Sequence, residues 1–107
     1  MATIGVVTRQ PDGGYKGRLQ TLSIRTDIAI VPNEAKSDER QPDFRVYAGG
    51  LEIGAGWSRT GRRSGEVYVS LSLAAPELGP KAVYANLGRL AGSEDEDAFA
   101  LIWNPAR

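Results

Sequence analysis

Phe44-Arg45-Val46-Tyr47-Ala48-Gly49-Gly50-Leu51-Glu52-Ile53-Gly54-Ala55-Gly56-Trp57 is the stretch that decides the fold class. Apolar side chains recur at every second position on both sides of Gly49-Gly50, the period of a strand with one face buried. Two adjacent glycines between such runs fit a two-residue hairpin, because a type I′ turn needs positive φ at both central residues. Counting outward from that turn pairs Ala48 with Leu51, Val46 with Ile53 and Phe44 with Ala55, and puts all six on one face. Trp57 continues that face and is predicted to lie in the core.

The pattern repeats along the chain. Glu66 to Leu73 alternates Val67, Val69, Leu71 and Leu73 with Tyr68, Ser70 and Ser72. Further strands are predicted at Thr3–Thr8, Tyr15–Ile24, Asp27–Val31, Ala82–Leu90 and Asp97–Trp103. Pro11-Asp12-Gly13-Gly14 is a turn between the first two. In the last strand both Phe99, Leu101, Trp103 and Ala100, Ile102 make alternating sets, so either could face inward, a core Trp103 being the commoner arrangement. Asn33 to Arg40 could cap and start a short turn of helix, but it has no apolar stripe and reads equally as a polar loop. About seven or eight short strands in succession imply an all-β fold, an antiparallel meander forming a small barrel, with a two-sheet β-sandwich as the alternative.

Composition narrows the chemistry. At 107 residues the chain is the size of a single all-β domain, taken as 1–107. It has no Cys and no His, which removes a disulfide framework, thiol nucleophiles, zinc fingers and Ser-His triads. Carboxylate pairs could act alone, yet only Glu52 and Glu66 flank one outward face, and nothing marks them as buried. The expectation is a non-enzymatic protein with no cofactor. No apolar run approaches the roughly 20 residues a membrane span needs, and the first ten residues lack a signal-peptide pattern. A cytoplasmic location with no membrane partner is therefore expected.

Ile4-Gly5, Thr8-Arg9 and Asp12-Gly13-Gly14-Tyr15 open a pattern that continues through Pro42-Asp43-Phe44-Arg45-Val46-Tyr47-Ala48-Gly49-Gly50. It ends with Tyr84-Ala85-Asn86-Leu87 and Leu101-Ile102-Trp103. In these residues, over nearly its whole length, the chain resembles the uncharacterised bacterial family catalogued as domain of unknown function 736. The resemblance implies a small protein of proteobacterial plasmids and integrative conjugative elements, near transfer, partition and anti-restriction genes. It carries no catalytic or binding residues with it.

Candidate binding residues come from the outward positions. Glu52, Gly54, Gly56 and Ser58 are expected to point away from the core, with Arg45, Tyr47 and Tyr68 beside them. A glycine floor flanked by two tyrosines and an arginine could stack bases and pair a phosphate, as single-strand binders do. Alternatively Tyr68 packs over the glycines and lets the sheet bend. Arg59, Arg62 and Arg63 give local positive potential suited to phosphate or an acidic partner, or simply a solvated hairpin tip. The net charge of zero argues against a strongly basic nucleic-acid binder. Glu94 to Asp97 lacks the alternating spacing of a Ca²⁺ loop, and no metal site is expected. Two functions follow: an accessory protein of mobile genetic elements binding single-stranded nucleic acid, or a protein-binding module that inhibits or tethers a host defence or element-encoded factor.

Overall fold

Residues 2–104 are described by a computed structural model. Eight strands follow one another: β1 (Ala2–Arg9), β2 (Tyr15–Gln20), β3 (Arg25–Pro32), β4 (Phe44–Ala48), β5 (Leu51–Thr60), β6 (Val67–Leu73), β7 (Val83–Arg89) and β8 (Ala98–Asn104). Each pairs antiparallel with the next, and β8 returns to β1, so the meander closes into a barrel with no free edge strand. The sandwich alternative does not form. A single 3₁₀ turn at Pro76–Leu78 is the only helical element among the described residues, and no helix there is long and apolar enough to cross a membrane. Met1 and residues 105–107 of the expected 1–107 domain lie outside the described residues.

The barrel interior is filled by the alternate residues of every strand. Val7, Leu19, Ile30, Val46, Leu71, Leu73 and Leu101 are its largest fully buried side chains. Each contributes about 1.5–3 kcal/mol by leaving water. In β8 the inward set is Phe99, Leu101 and Trp103, with Leu101 fully buried and Trp103 half-exposed at the barrel's end.

The central hairpin turns where expected: Gly49 and Gly50 have φ of 57° and 83°, and Ala48 pairs with Leu51. Beyond that pair the register departs from simple alternation. Tyr47 opposes Glu52 and Val46 opposes Gly54, leaving Ile53 as an extra residue in a β-bulge. The bulge reverses the parity of the rest of β5. Phe44 therefore faces Gly56 instead of Ala55, and Gly54 and Gly56 turn inward while Ala55, Trp57 and Arg59 turn outward.

The reversal has a packing reason. A Cβ on Gly56 would sit 2.9 Å from Leu71 Cδ2 and 3.3 Å from Phe44 Cβ, so glycine makes room for both in the core. The expected place of Trp57 in the core falls with it. Trp57 is outside the barrel, half-buried, with its indole N–H directed at the Arg40 carbonyl 3.4 Å away. Leu51 lies at the barrel end and is 70% exposed.

The long loop 33–43 covers Trp57 without forming a helix. Asn33 does cap a turn, its Oδ1 accepting the Ala35 N–H at 3.2 Å, but nothing apolar follows to sustain a helix. Asp43 fastens the loop. Its N–H donates to the Gly56 carbonyl at 2.9 Å, and its Oδ2 accepts the Ser58 N–H at 2.8 Å.

Hairpin alternation sorts the loops. Loops 10–14, 33–43, 61–66 and 90–97 gather at one end of the barrel, and 21–24, 49–50 and 74–82 at the other.

Candidate nucleic-acid interface

Arg59 and Tyr68 are direct partners in the β5–β6 ladder, and both point outward from the barrel. Opposed side chains on one face stand about 4.5–5.5 Å apart at Cβ, so a guanidinium and a half-buried phenol share one patch. The turn that joins the two strands carries Arg62 and Arg63. Backbone bonds close it: the Gly61 N–H donates to the Glu66 carbonyl at 2.8 Å and the Gly65 N–H to the Gly61 carbonyl at 3.0 Å. Gly65 takes φ of 70°, which the turn requires. Glu66 N–H closes it on Ser64 Oγ at 3.1 Å. Among the described residues, Arg59, Arg62 and Arg63 enter no ion pair. Their charge is available to a partner.

Arg45 and Tyr47 lie elsewhere. Arg45 is held in a two-pronged ion pair, Nε to Glu52 Oε2 at 2.7 Å and Nη2 to Glu52 Oε1 at 2.8 Å. That carboxylate holds the guanidinium still more firmly protonated than usual and neutralises its charge. Tyr47 opposes the same Glu52 in the ladder. Glu52 and Arg59, the β5 partners of Tyr47 and Tyr68, are seven residues apart. At strand rise this is roughly 20 Å. The two tyrosines therefore do not flank one platform, and the glycines expected between them face the core. The residues singled out from sequence fall into two groups: Arg59, Arg62, Arg63 and Tyr68 together, Arg45 and Tyr47 apart.

The chain matches, over residues 3–106, the family described as Protein of unknown function (DUF736). The chain belongs to that family. The matched span takes in the closed barrel and both groups of residues. No curated protein and no solved structure matches this DUF736 member.

In this DUF736 barrel the arginine-bearing end also holds residues the alternation did not bring out. Arg9 and Arg89 occupy inward positions at the ends of β1 and β7, continuing the sets Gly5, Val7, Arg9 and Ala85, Leu87, Arg89. Between them stands Phe99, whose ring is contacted edge-on by Tyr15 at 5.4 Å and carries the Arg9 guanidinium 5.1 Å from its centre. Arg9 also pairs with Asp97, Nε to Oδ1 at 3.1 Å. Asp97 in turn belongs to a tight turn, its N–H donating to Asp95 Oδ1 at 2.9 Å. Among the described residues no three acidic side chains converge as metal ligands. A charge at a strand end reads in sequence as turn composition, so the one available signal was that Arg9 and Arg89 keep the inward parity of their strands.

Proposed function

We propose that this protein is a non-enzymatic accessory protein that binds single-stranded nucleic acid on the outer face of the β5–β6 hairpin. Arg59, Arg62 and Arg63 take successive phosphates, and Tyr68 gives a base a surface to stack on. The observation that carries this reading is the Arg59–Tyr68 pair, continuous with a turn whose two further arginines have no ion-pair partner among the described residues. Cationic side chains interleaved with an aromatic ring are the elements that sequence-tolerant strand binders use. Arg45 and Tyr47 have no contact in this reading, since Glu52 occupies the guanidinium. The family resemblance supports a setting in mobile genetic elements, where transfer exposes single strands.

Fluorescence anisotropy of a labelled oligo-dT tests the proposal. The wild-type chain should bind at low salt, and R62E/R63E should weaken binding at least tenfold. Equal binding by the two proteins would rule the reading out.

A second reading, a protein-binding module acting on a host defence factor, draws on the opposite end of the barrel. There Leu51 and Leu22 are exposed beside a hollow of about 540 Å³ floored by Leu19 and Ile53. Exposed apolar side chains around a hollow are a common feature of protein contacts. Capture of one defined partner by the wild type, lost in L51D, would favour it.

A further inference from the structure

β6 and β7 part company at the arginine-bearing end. Their ladder holds only four pairs, Ser70 with Asn86 through Leu73 with Val83, whereas β5 and β6 stay paired over seven, out to Thr60 with Val67. Val67, Tyr68 and Val69 are thus paired on the β5 side alone, and Leu87, Gly88 and Arg89 on the β8 side alone. Beyond the Ser70–Asn86 pair these two segments form no further ladder pair with each other. In a closed barrel this is a local opening of the wall, a seam. It leads into a hollow of about 650 Å³ that reaches inward to Phe44, Tyr15 and Phe99.

The chemistry of the hollow is mixed in a particular way. Val67, Val69 and Leu87 make apolar walls, and Val67 is 70% exposed despite its inward register. Phe99 is held in place by Tyr15 and by the Arg9 guanidinium. Arg89, the ladder partner of Phe99, has no ion pair among the described residues. A site of this size suits one ring-bearing small molecule. Apolar walls on two facing strand ends favour a ring, and strand N–H and C=O groups beyond the last ladder pair can read its hydrogen-bonding edge. A free guanidinium at the rim favours an anionic group attached to it.

We propose that the β6–β7 seam is a nucleotide site: it takes one nucleobase between the two strand ends and its phosphate at Arg89, with Arg9 behind. The proposal deepens the strand-binding reading and rests on it for the choice of a nucleotide over other ring-bearing anions. Arg59, Arg62 and Arg63 belong to the hairpin that forms one wall of the seam, so a strand tracked by those arginines can place one base in it. The same ring and phosphate can come from a free mononucleotide or from the phosphorylated end of a strand.

Amide NMR of the full chain tests this, with deoxythymidine 5′-monophosphate, thymidine and inorganic phosphate as separate probes. The monophosphate should shift the amides of Val67–Val69 and Leu87–Arg89, at an affinity at least tenfold above either half alone. R89A should weaken it fivefold or more while leaving the rest of the spectrum in place, which separates loss of binding from loss of fold. A monophosphate that leaves both segments unmoved, phosphate alone reproducing the response, or R89A binding as well as wild type would each overturn the proposal. Oligo-dT with and without a 5′-phosphate separates the sources. A several-fold gain from the phosphate supports the site with a strand end as occupant, and monophosphate binding without that gain supports it with a free nucleotide. Oligo-dT binding that survives when the monophosphate leaves the seam unmoved defeats the seam alone. Monophosphate binding without any oligo-dT binding defeats the strand reading alone.

Discussion

The backbone N–H of Ser58 donates to Oδ2 of Asp43 at 2.8 Å, and this bond joins the 33–43 loop to β5 fifteen residues further along the chain. Lys36 pairs with the other oxygen of the same carboxylate. Asp43 thus holds the loop at both ends of its side chain, over the outward face of Trp57.

These contacts give the loop a pH dependence of definite sign. The Lys36 hydrogen bond first, and the Ser58 N–H second, hold the Asp43 carboxyl below its ordinary value of 3.8. A depressed folded-state pKa stabilises the ionised form, so the contribution is complete above the ordinary carboxylate range and is lost as pH falls through the folded value. The indole N–H signal of Trp57 should therefore hold steady from neutral pH to about pH 4 and shift below it. In D43N it should already be displaced at pH 7 and lack that acid step. A wild-type signal that moves instead between pH 5 and 7 would contradict the assignment.

Gly54 and Gly56 should respond differently to an added methyl group. At Gly56 the nearest atom is Leu71 Cδ2, the far end of a side chain that can move aside, so G56A should cost about 1–3 kcal/mol. At Gly54 the new Cβ would run into the backbone carbonyl of Ser72 on the neighbouring strand. A strand cannot shift without breaking its ladder, and G54A should be the more destabilising of the two. Urea denaturation of both variants gives the order, and a reversed order would show that the inward parity of β5 is wrong.

Much of this architecture was legible from residues 44–57 and their like. The Gly49-Gly50 reversal, the Ala48–Leu51 pair and the inward sets of β6 are properties of local alternation, and the chain obeys them. The bulge at Ile53 was not legible, because alternation counts residues and cannot see that one of them is left out of the ladder. Gly54 and Gly56 did carry the signal, since strand glycines need a reason. The reason is room inside for Leu71 and Phe44 at Gly56 and close approach of the Ser72 backbone at Gly54, not a flat floor outside. That one extra residue moved Trp57 out of the core and dissolved the expected platform between Tyr47 and Tyr68. Arg45 looked available in sequence, although its partner Glu52 stands opposite Tyr47 in the register that the Gly49-Gly50 turn alone already gives.

Within the hairpin face, ring and charge should separate. Y68A should weaken oligo-dT binding by about 1–3 kcal/mol, the usual cost of losing one stacked base, while Y68F should bind as the wild type does. R45A should leave binding unchanged, because its guanidinium is already satisfied by Glu52. An R45A defect matching that of R62A would relocate the contact to β4.

Ionic strength counts the phosphates. Three arginines neutralising three phosphates of a single strand predict a slope near about −2 for log affinity against log salt, and removal of one arginine should flatten it by somewhat less than one. A slope indistinguishable from zero would mean that no phosphate is contacted, and would favour a protein partner.

The most direct measurement is a map of amide shifts across the whole chain on titration with oligo-dT. Strand binding on the hairpin predicts that the largest shifts fall between residues 59 and 69, with Arg45, Tyr47 and the far-end residues around Leu51 unmoved. Shifts concentrated at Leu22 and Leu51, or none at saturating oligo-dT, would contradict it.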